Sequence, residues 1–251
     1  LERNDLSKNC IQLIDSKDRE DAIEFMNMTE YIDLIVPRGG RGLIETLVNN
    51  SKVPFILDGD GNVHLYIHKD AKEEYMVPIV INSKVQRPGV CNALETLILH
   101  KDVYQKNGKD IIDALKDNSV EVFIDEQASN DYPDLEIAND EHYFTEFLDL
   151  KIAIKIVEDE NDAIKHINKF SSGHTEGILT ESEKIADKFS SSIDSSVIFI
   201  NASTRFTDGE MFGFGAEIGI STQKLHVRGP MGLEALTTER YVINGKGTVR
   251  G

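Results

Sequence analysis

The chain has few of the residues that mark extracellular, membrane or nucleic-acid-binding proteins. Only two of its 251 residues are cysteines, Cys10 and Cys91, so no disulfide framework is available and a reducing, cytoplasmic setting is expected. No apolar run approaches the length of a membrane span. Basic residues number 27 against 44 acidic ones, and the formal net charge of −17 argues against nucleic acid or an anionic membrane as a partner.

Internal repeats and low-complexity tracts are also absent, and the sequence instead alternates apolar runs typical of strands with helical patterns. A helix is predicted over residues 70–84, then a loop containing Cys91, then a strand over residues 95–100. Such alternation builds a parallel sheet covered by helices, so we expect an α/β protein. The other predicted strands are residues 10–14, 33–36, 54–57, 120–124, 151–157, 177–180 and 197–200, and the other predicted helices are residues 18–28, 40–49, 109–117, 161–170 and 182–192.

Cys91 is the candidate nucleophile, because Pro88 and Gly89 precede it and should stop the helix and present the thiol on a loop. A thiolate is favoured by nearby cations, and Lys84 and Arg87 supply local positive charge in an otherwise acidic chain. From local sequence alone, a small buried cysteine with only a packing role remains the alternative. The seven histidines show no metal-ligand spacing, so no metal site is predicted.

Five segments, in order along nearly the whole chain, resemble the gamma-glutamyl phosphate reductases, a family of the aldehyde dehydrogenase superfamily. They are VPRGGRGLI at residues 36–44, VQRPGVCNALETL at 85–97, SGHTE at 172–176, residues 201–224 from NASTRF to GAEIGISTQK, and HVRGPMGLEALTT at 226–238. The resemblance implies an aldehyde dehydrogenase-like fold and an oxidoreductase that reduces an acyl phosphate with NADPH in proline biosynthesis.

Family members begin with a long N-terminal portion that has no counterpart here, so the chain is expected to be a C-terminal fragment that enters the family mid-domain. The resemblance divides it into the second half of a Rossmann-like NADP-binding domain at residues 1–66, an α/β catalytic domain with the cysteine nucleophile at 67–225, and a C-terminal return segment with an oligomerisation arm at 226–251. The residues that choose between NADPH and NADH should lie in the missing portion.

The chemistry implied by the resemblance is attack by Cys91 on the acyl carbon of L-glutamyl 5-phosphate, release of phosphate, and reduction of the thioester to L-glutamate 5-semialdehyde. The backbone amide at Cys91 or Asn92 would donate to the developing oxyanion, together with an asparagine from the missing part. Oxidising relatives place a water-activating glutamate where Leu57 stands, and leucine there fits a reductase. Asp58 could still act as a nearby carboxylate.

Two groups of residues are expected to hold the cofactor. The turn formed by Pro37, Arg38, Gly39 and Gly40 follows a predicted strand and opens a predicted helix, where free amides and the helix dipole can hold a phosphate. An ordinary turn is the alternative. Glu146 takes the position of the superfamily glutamate that holds the nicotinamide ribose, although Asp149 and Leu150 replace the glycine and proline of that motif, so an exposed helix-flanking glutamate is the other interpretation.

The residues implied to bind the substrate are Arg87, His174, Ser203, Thr204 and Arg205. The planar fork of Arg205 could clamp the α-carboxylate of the substrate while the two hydroxyls donate hydrogen bonds. An equal alternative is that Ser203, Thr204 and Arg205 stitch a long loop to the core.

The segment 239–250 is typical of a hairpin-prone strand arm, which in the superfamily adds to the sheet of a neighbouring subunit and implies a homodimer or larger homo-oligomer. Glutamate 5-kinase is a possible pathway partner or fused domain. Two other functions remain open: a superfamily reductase of another acyl phosphate or acyl thioester, and a folded, dimerising fragment without turnover.

Overall fold

The computed structural model describes residues 2–251, which form two compact units that divide between Leu57 and Asp58. None of the helices formed by these residues is both long and apolar enough to cross a lipid bilayer. The division falls before the predicted domain boundary at residues 66 and 67, which lies inside a strand of the second unit. The assignment of the three predicted segments to functions stays a prediction.

The first unit contains helix α1 (Arg19–Phe25) and helix α2 (Arg41–Asn50). Asp18 caps α1 by accepting a hydrogen bond from the backbone amide of Glu20. Its only strand-like pairing among the described residues is a parallel bridge between Ile35 and Phe55, on either side of α2, which agrees with the predicted strand–helix–strand order. The strand predicted at residues 10–14 is wrong, because Ile11 and Leu13 lie in exposed, irregular chain with no sheet to bury them.

The second unit is built on a six-stranded parallel sheet in the order β3-β4-β2-β1-β5-β6, which confirms the predicted α/β fold. The strands are β1 (Val63–Ile67), β2 (Leu94–His100), β3 (Glu121–Phe123), β4 (Lys151–Val157), β5 (Thr175–Leu179) and β6 (Val197–Ile200). The helices between them are α3 (Glu73–Val85), α4 (Lys101–Asp117), α5 (Asp140–Phe144), α6 (Glu160–Phe170) and α7 (Glu183–Ser192).

The central strands are buried on both faces, as expected for a parallel sheet covered by helices. On one face Leu65 and Ile67 of β1 join a core completed by α3 and α4, including Val80 and Ile112. On the other face Tyr66 joins a second core formed with α6 and α7. Successive β1 residues therefore pack into opposite cores, and the sheet is fixed from both sides.

The C-terminal part of the chain returns along the second unit through the short antiparallel pair β7 (Ile220–Ser221) and β8 (Gly229–Pro230). Residues 239–250 form no strand in this structure, and the described side chains of this tail are exposed. The predicted strand arm is therefore not formed by the single chain, because strand backbone needs a partner for its hydrogen bonds. Its pairing with a second subunit stays a prediction.

Candidate active site

Three of the candidate residues, together with Gly61, lie at one edge of the sheet because each is within five residues of the start of a strand. Gly61 precedes β1, Cys91 precedes β2, Glu146 precedes β4 and His174 precedes β5. All of these strands are parallel, so their amino ends share the same edge. Open α/β sheets more often bind ligands beyond the carboxyl ends of their strands. The candidate site of this unit lies at the opposite, amino edge.

Cys91 lies in a turn between α3 and β2 and is half-buried, as the Pro88-Gly89 pattern predicts. Burial, and after it the negative charges of Asp58, Glu146 and Glu217, raise the pKa of the Cys91 thiol to about 12. The thiol of the free protein is therefore protonated at neutral pH. Activation requires a change in this surrounding charge or a base that takes the proton when the substrate arrives.

The expected activation of Cys91 by Lys84 is wrong. Lys84 is fully buried, and its Nζ donates a hydrogen bond to Glu95 Oε2 at 2.7 Å. The ammonium is thus committed to a carboxylate in the next strand rather than to the thiol. Desolvation lowers the pKa of Lys84 and raises that of Glu95 to about 7, with the ion pair opposing both changes.

Arg205 lies in a loop that contacts the Cys91 turn, since Asn92 Nδ2 lies 3.5 Å from the carbonyl oxygen of Arg205. Burial lowers the pKa of Arg205, the nearby positive charge of Arg87 lowers it further, and Cys91 acts in the opposite direction. The Nε of Arg205 donates to Gln86 Oε1 at 2.7 Å, which fixes the plane of the guanidinium at the end of α3. Arg87 is exposed. The grouping of Arg87 and Arg205 with the thiol around a substrate stays a prediction, and sequence reasoning missed Gln86 as the residue that bonds Arg205.

Ser203 and Thr204 bond within the protein. The Ser203 hydroxyl lies 3.1 Å from the hydroxyl of Ser83 in α3, and Thr204 Oγ1 donates to the carbonyl oxygen of Asn92 at 2.8 Å. Both residues are buried. These contacts favour the alternative in which the two hydroxyls stitch their loop to the core, and their contact with a substrate stays a prediction.

Asn92 is buried and fixes the turn that follows the thiol. Its Nδ2 donates to the carbonyl oxygen of Thr207 at 2.8 Å, while its own carbonyl accepts from Thr204. The Oδ1 of Asn92 has no hydrogen-bond partner among the described residues. The side chain thus holds the turn in place, and donation by its backbone amide to an oxyanion stays a prediction.

His174 is fully buried at the start of β5, and its Nδ1 lies 2.8 Å from Thr175 Oγ1. Burial lowers the pKa of His174 to about 4, so the imidazole is neutral at neutral pH. Thr175 Oγ1 lies 2.9 Å from Thr207 Oγ1, and Thr207 in turn accepts from Asn92. His174 therefore connects through Thr175 and Thr207 to Asn92 in the Cys91 turn. Because its side chain is fully buried, the predicted direct contact with a substrate would require a rearrangement of the core.

Glu146 is half-buried, and its Oε1 accepts a hydrogen bond from the backbone amide of Gly61 at 2.7 Å. Burial raises the pKa of Glu146, with this hydrogen bond opposing the rise. Gly61 also touches the nucleophile, since a Cβ atom added to it would lie 1.7 Å from the carbonyl oxygen of Cys91. Sequence reasoning did not select Gly61, because nothing local to a glycine reveals a partner 30 residues away.

The turn of Pro37, Arg38, Gly39 and Gly40 lies in the first unit and leads into α2, as predicted. Gly40 is the N-cap residue of α2 and no side chain caps the helix there. A Cβ atom at Gly40 would meet nothing within 4 Å, so the turn is open on that side. Pro37 lines a cavity of about 240 Å³ with several apolar side chains and with Asp18 and Asp21. The contact of this turn with a nucleotide stays a prediction.

Known proteins of similar sequence are gamma-glutamyl phosphate reductases. No protein-family model matches the chain. It is 48% identical over 250 residues to the gamma-glutamyl phosphate reductase of Clostridium beijerinckii, an alignment that spans 100% of this chain and 60% of that protein. The chain therefore spans about three-fifths of the length of the curated relatives it matches.

Solved structures agree with the sequence comparison. The crystal structure of gamma-glutamyl phosphate reductase from Thermotoga maritima has a TM-score of 0.91 at 46% identity, covering 95% of this chain and 57% of that one. An acetylating aldehyde dehydrogenase from Geobacillus thermoglucosidasius is 21% identical, with a TM-score of 0.63 over 82% of this chain and 54% of that one. This second likeness shows the aldehyde dehydrogenase-like fold.

Proposed function

Because the chain belongs to the gamma-glutamyl phosphate reductase family over its whole length, we propose that the complete protein reduces L-glutamyl 5-phosphate to L-glutamate 5-semialdehyde and phosphate. The single observation that supports this most strongly is the half-buried thiol of Cys91 in a turn that Asn92 ties to the loop carrying Arg205. A nucleophile with a cation on the neighbouring loop suits an anionic, activated acyl group.

In this proposal Cys91 Sγ forms a bond to the acyl carbon, and the bond from that carbon to the phosphate oxygen breaks. The electron pair leaves with inorganic phosphate, and the thiol proton passes to solvent or to a neighbouring carboxylate. When bound, the reduced nicotinamide supplies the hydride that reduces the resulting thioester. The thiohemiacetal then collapses: its carbon–sulfur bond breaks, the aldehyde leaves, and the departing thiolate takes back a proton from solvent or the neighbouring carboxylate to restore the thiol.

The chain's own residues do the positioning. Arg205, held by Gln86 through its Nε, has the rest of its planar fork for the α-carboxylate of the substrate. The exposed Arg87 adds positive charge for the phosphate. The backbone amide of Cys91 or Asn92 donates to the oxygen that becomes negative in both chemical steps.

The described residues also fit a nicotinamide nucleotide. The carboxylate of Glu146 can accept two ribose hydroxyls, and its half-buried position beside Gly61 supports that role. In the first unit the turn before α2, where no side chain caps the helix, supports the binding of a phosphate. We propose NADPH as the cofactor.

The complete protein is also proposed to be a homo-oligomer. Tyr241, Val242, Ile243 and Val249 of the tail are at least 70% exposed, an apolar surface that pairing with the sheet of a second copy would cover. A kinase that makes the acyl phosphate, as a separate protein or a fused domain, is the partner this chemistry requires.

The proposal is tested by measuring NADPH oxidation by the complete protein with glutamyl phosphate generated in the assay. The matched control is an acyl phosphate without the α-amino and α-carboxylate groups. Preference for glutamyl phosphate, lost in Arg205→Ala, supports the proposal. Equal rates with both substrates would favour a reductase of other acyl phosphates, and no turnover with measurable folding would favour a chain without catalytic activity.

A further inference from the structure

A charged pair is enclosed beside the Cys91 loop. Lys84 Nζ and Glu95 Oε2 are 2.7 Å apart, and neither side chain has any exposure to solvent. Removing two charges from water costs several kcal/mol for each ion, and such pairs can often be replaced by apolar residues without loss of stability. Stability alone therefore does not explain why a buried ion pair is present at this position.

The second oxygen of the carboxylate indicates that reason. Glu95 Oε1 accepts a hydrogen bond from the backbone amide of Leu148 at 3.2 Å. Leu148 has a φ angle of 53°, in the left-handed region that non-glycine residues adopt infrequently. A branched residue in that conformation needs the surrounding structure to hold it. Leu148 lies two residues after Glu146, in the same loop.

The pair also spans the two stems of the nucleophile loop. Lys84 belongs to the last turn of α3, and Glu95 is the second residue of β2, with Cys91 between them. The loop carrying Glu146 is thus held at two points: Gly61 donates to Glu146, and Glu95 accepts from Leu148. Glu95 belongs to the segment that presents the thiol, and Gly61 lies directly against the carbonyl group of Cys91.

We propose that the Lys84–Glu95 pair is a positioning device that holds the Glu146 loop in register with the Cys91 loop and thereby sets the affinity for the nucleotide. This rests on the proposed function, in which Glu146 holds the nicotinamide ribose. Lys84 and Glu95 are positioning residues, and neither touches the reacting atoms. The hydrogen bond from Leu148 to Glu95 Oε1 holds the loop, and the ammonium of Lys84 neutralises the buried negative charge of Glu95.

The test uses two double variants of the complete protein. Glu95→Gln alone would leave a buried lysine without its partner, so both changes at Glu95 are made together with Lys84→Met. Lys84→Met/Glu95→Gln keeps an amide oxygen that can accept from Leu148, whereas Lys84→Met/Glu95→Leu has none. The comparison isolates the one hydrogen bond in a background without buried charge.

The second unit offers a matched control. Asp125 Oδ2 accepts from Lys155 Nζ at 2.5 Å and from the backbone amide of Ile156 at 3.1 Å, so this carboxylate also joins a lysine to a backbone amide. Ile156 lies near the carboxyl end of β4, away from the amino edge that carries the site. The control variants are Lys155→Met/Asp125→Asn and Lys155→Met/Asp125→Leu.

Three measurements are compared: amide hydrogen exchange of residues 145–150 without nucleotide, NADPH affinity by fluorescence titration, and kcat and KM with thermal stability as the folding control. Relative to the Gln form, the Leu form at Glu95 should exchange faster in this segment and bind NADPH about two- to tenfold more weakly, the worth of one hydrogen bond. The KM for NADPH should change more than kcat. The two control variants should bind NADPH equally even where their melting temperatures fall.

Equal exchange and equal NADPH affinity in the Gln and Leu forms would overturn the positioning role, as would an equal shift in NADPH affinity between the control forms. A wild-type complete protein that neither binds NADPH nor reduces glutamyl phosphate would overturn the proposed function and this inference with it. NADPH binding by the wild type, with no difference between the Gln and Leu forms, would overturn this inference alone.

Discussion

Gly61→Ala should abolish most of the activity of the complete protein, although it adds a single methyl group. A Cβ atom at Gly61 would lie 1.7 Å from the carbonyl oxygen of Cys91 and 2.5 Å from its Cα. Both neighbours are backbone atoms of the nucleophile, so no side-chain rotation relieves the clash. Gly61 is buried and its amide donates to Glu146, so its own backbone is held as well.

The size of the effect follows from these distances. Ordinary van der Waals contact begins at 3.4 Å, so Cys91 and Gly61 must separate by roughly 1.5 Å or more. A displacement of about 1 Å at a reacting group can cost on the order of a hundredfold in rate. We therefore expect kcat/KM to fall at least about a hundredfold. Overpacking typically costs about 1–3 kcal/mol of stability, which leaves a protein of ordinary stability folded.

Steady-state NADPH oxidation measures the activity, and thermal unfolding checks the fold. The rate of alkylation of Cys91 by iodoacetamide reports the thiol without any cofactor. Gly89→Ala is the control on the same loop, since a Cβ there meets only the Leu148 carbonyl oxygen at 3.6 Å, an ordinary contact. Its activity should stay within about threefold of wild type. A Gly61→Ala protein as active as Gly89→Ala would refute the close approach of Gly61 to the nucleophile.

Four further predictions concern single positions. Cys91→Ser should remove reductase activity without changing thermal stability, because a hydroxyl is a far weaker nucleophile near neutral pH, and activity within about tenfold of wild type would contradict the nucleophile assignment. Arg205→Lys should raise the KM for the acyl phosphate, because lysine has neither the planar guanidinium nor the Nε that bonds Gln86. A change confined to the KM for NADPH would contradict the binding of the substrate α-carboxylate by Arg205. Leu57→Glu should introduce hydrolysis of the thioester, because a general base typically raises the rate of such a step about a hundredfold to ten-thousandfold. The measurement is free glutamate formed without NADPH oxidation. A folded variant that forms no excess glutamate as the pH is raised would show that Leu57 does not occupy the base position. Burial lowers the pKa of His174 to about 4, so below about pH 6.5 the unfolded chain binds a proton at this residue that the folded chain does not. The free energy of unfolding should therefore fall by about 1.4 kcal/mol per pH unit between pH 6.5 and pH 4. His174→Gln should flatten part of that slope in chemical denaturation, and an unchanged slope would assign it to other groups.

The alternation of strands and helices could be predicted from the sequence because it depends on local patterns. The strand at residues 63–67 was nevertheless missed, and the predicted domain boundary crossed it. Two of its five residues are polar or amphipathic, His64 and Tyr66, yet both are fully buried. Glu176 on the neighbouring strand bonds both the backbone amide and the Nδ1 of His64, at 2.8 and 3.1 Å. No local pattern reveals a partner 112 residues away.

The charged residues show the same limit. Lys84 was interpreted as a cation for the thiol because the two are close in sequence, but the helix directs Lys84 into the core, where Glu95 receives it. A charged residue close to a nucleophile in sequence is also close to it in space only when the backbone between them points both side chains the same way. The Pro88-Gly89 turn was predicted correctly, since turn chemistry is local to the residues that form it.

The segment from Ser83 to Glu95 holds most of the candidate site together, and this arrangement has a consequence for how substitutions combine. Four of its polar residues bond two loops: Ser83 bonds residues 203 and 204, Gln86 bonds Arg205 and Asn92 bonds Thr207, while Glu95 bonds Leu148 in the loop that carries Glu146. A displacement of this one segment therefore moves Cys91 relative to both loops together, the one at residues 203–207 and the one that carries Glu146. Substitutions in contact through a shared backbone shift are not additive. Two anchor variants combined should thus cost less catalytic free energy than their separate effects added, because the first already releases the segment that the second would disturb.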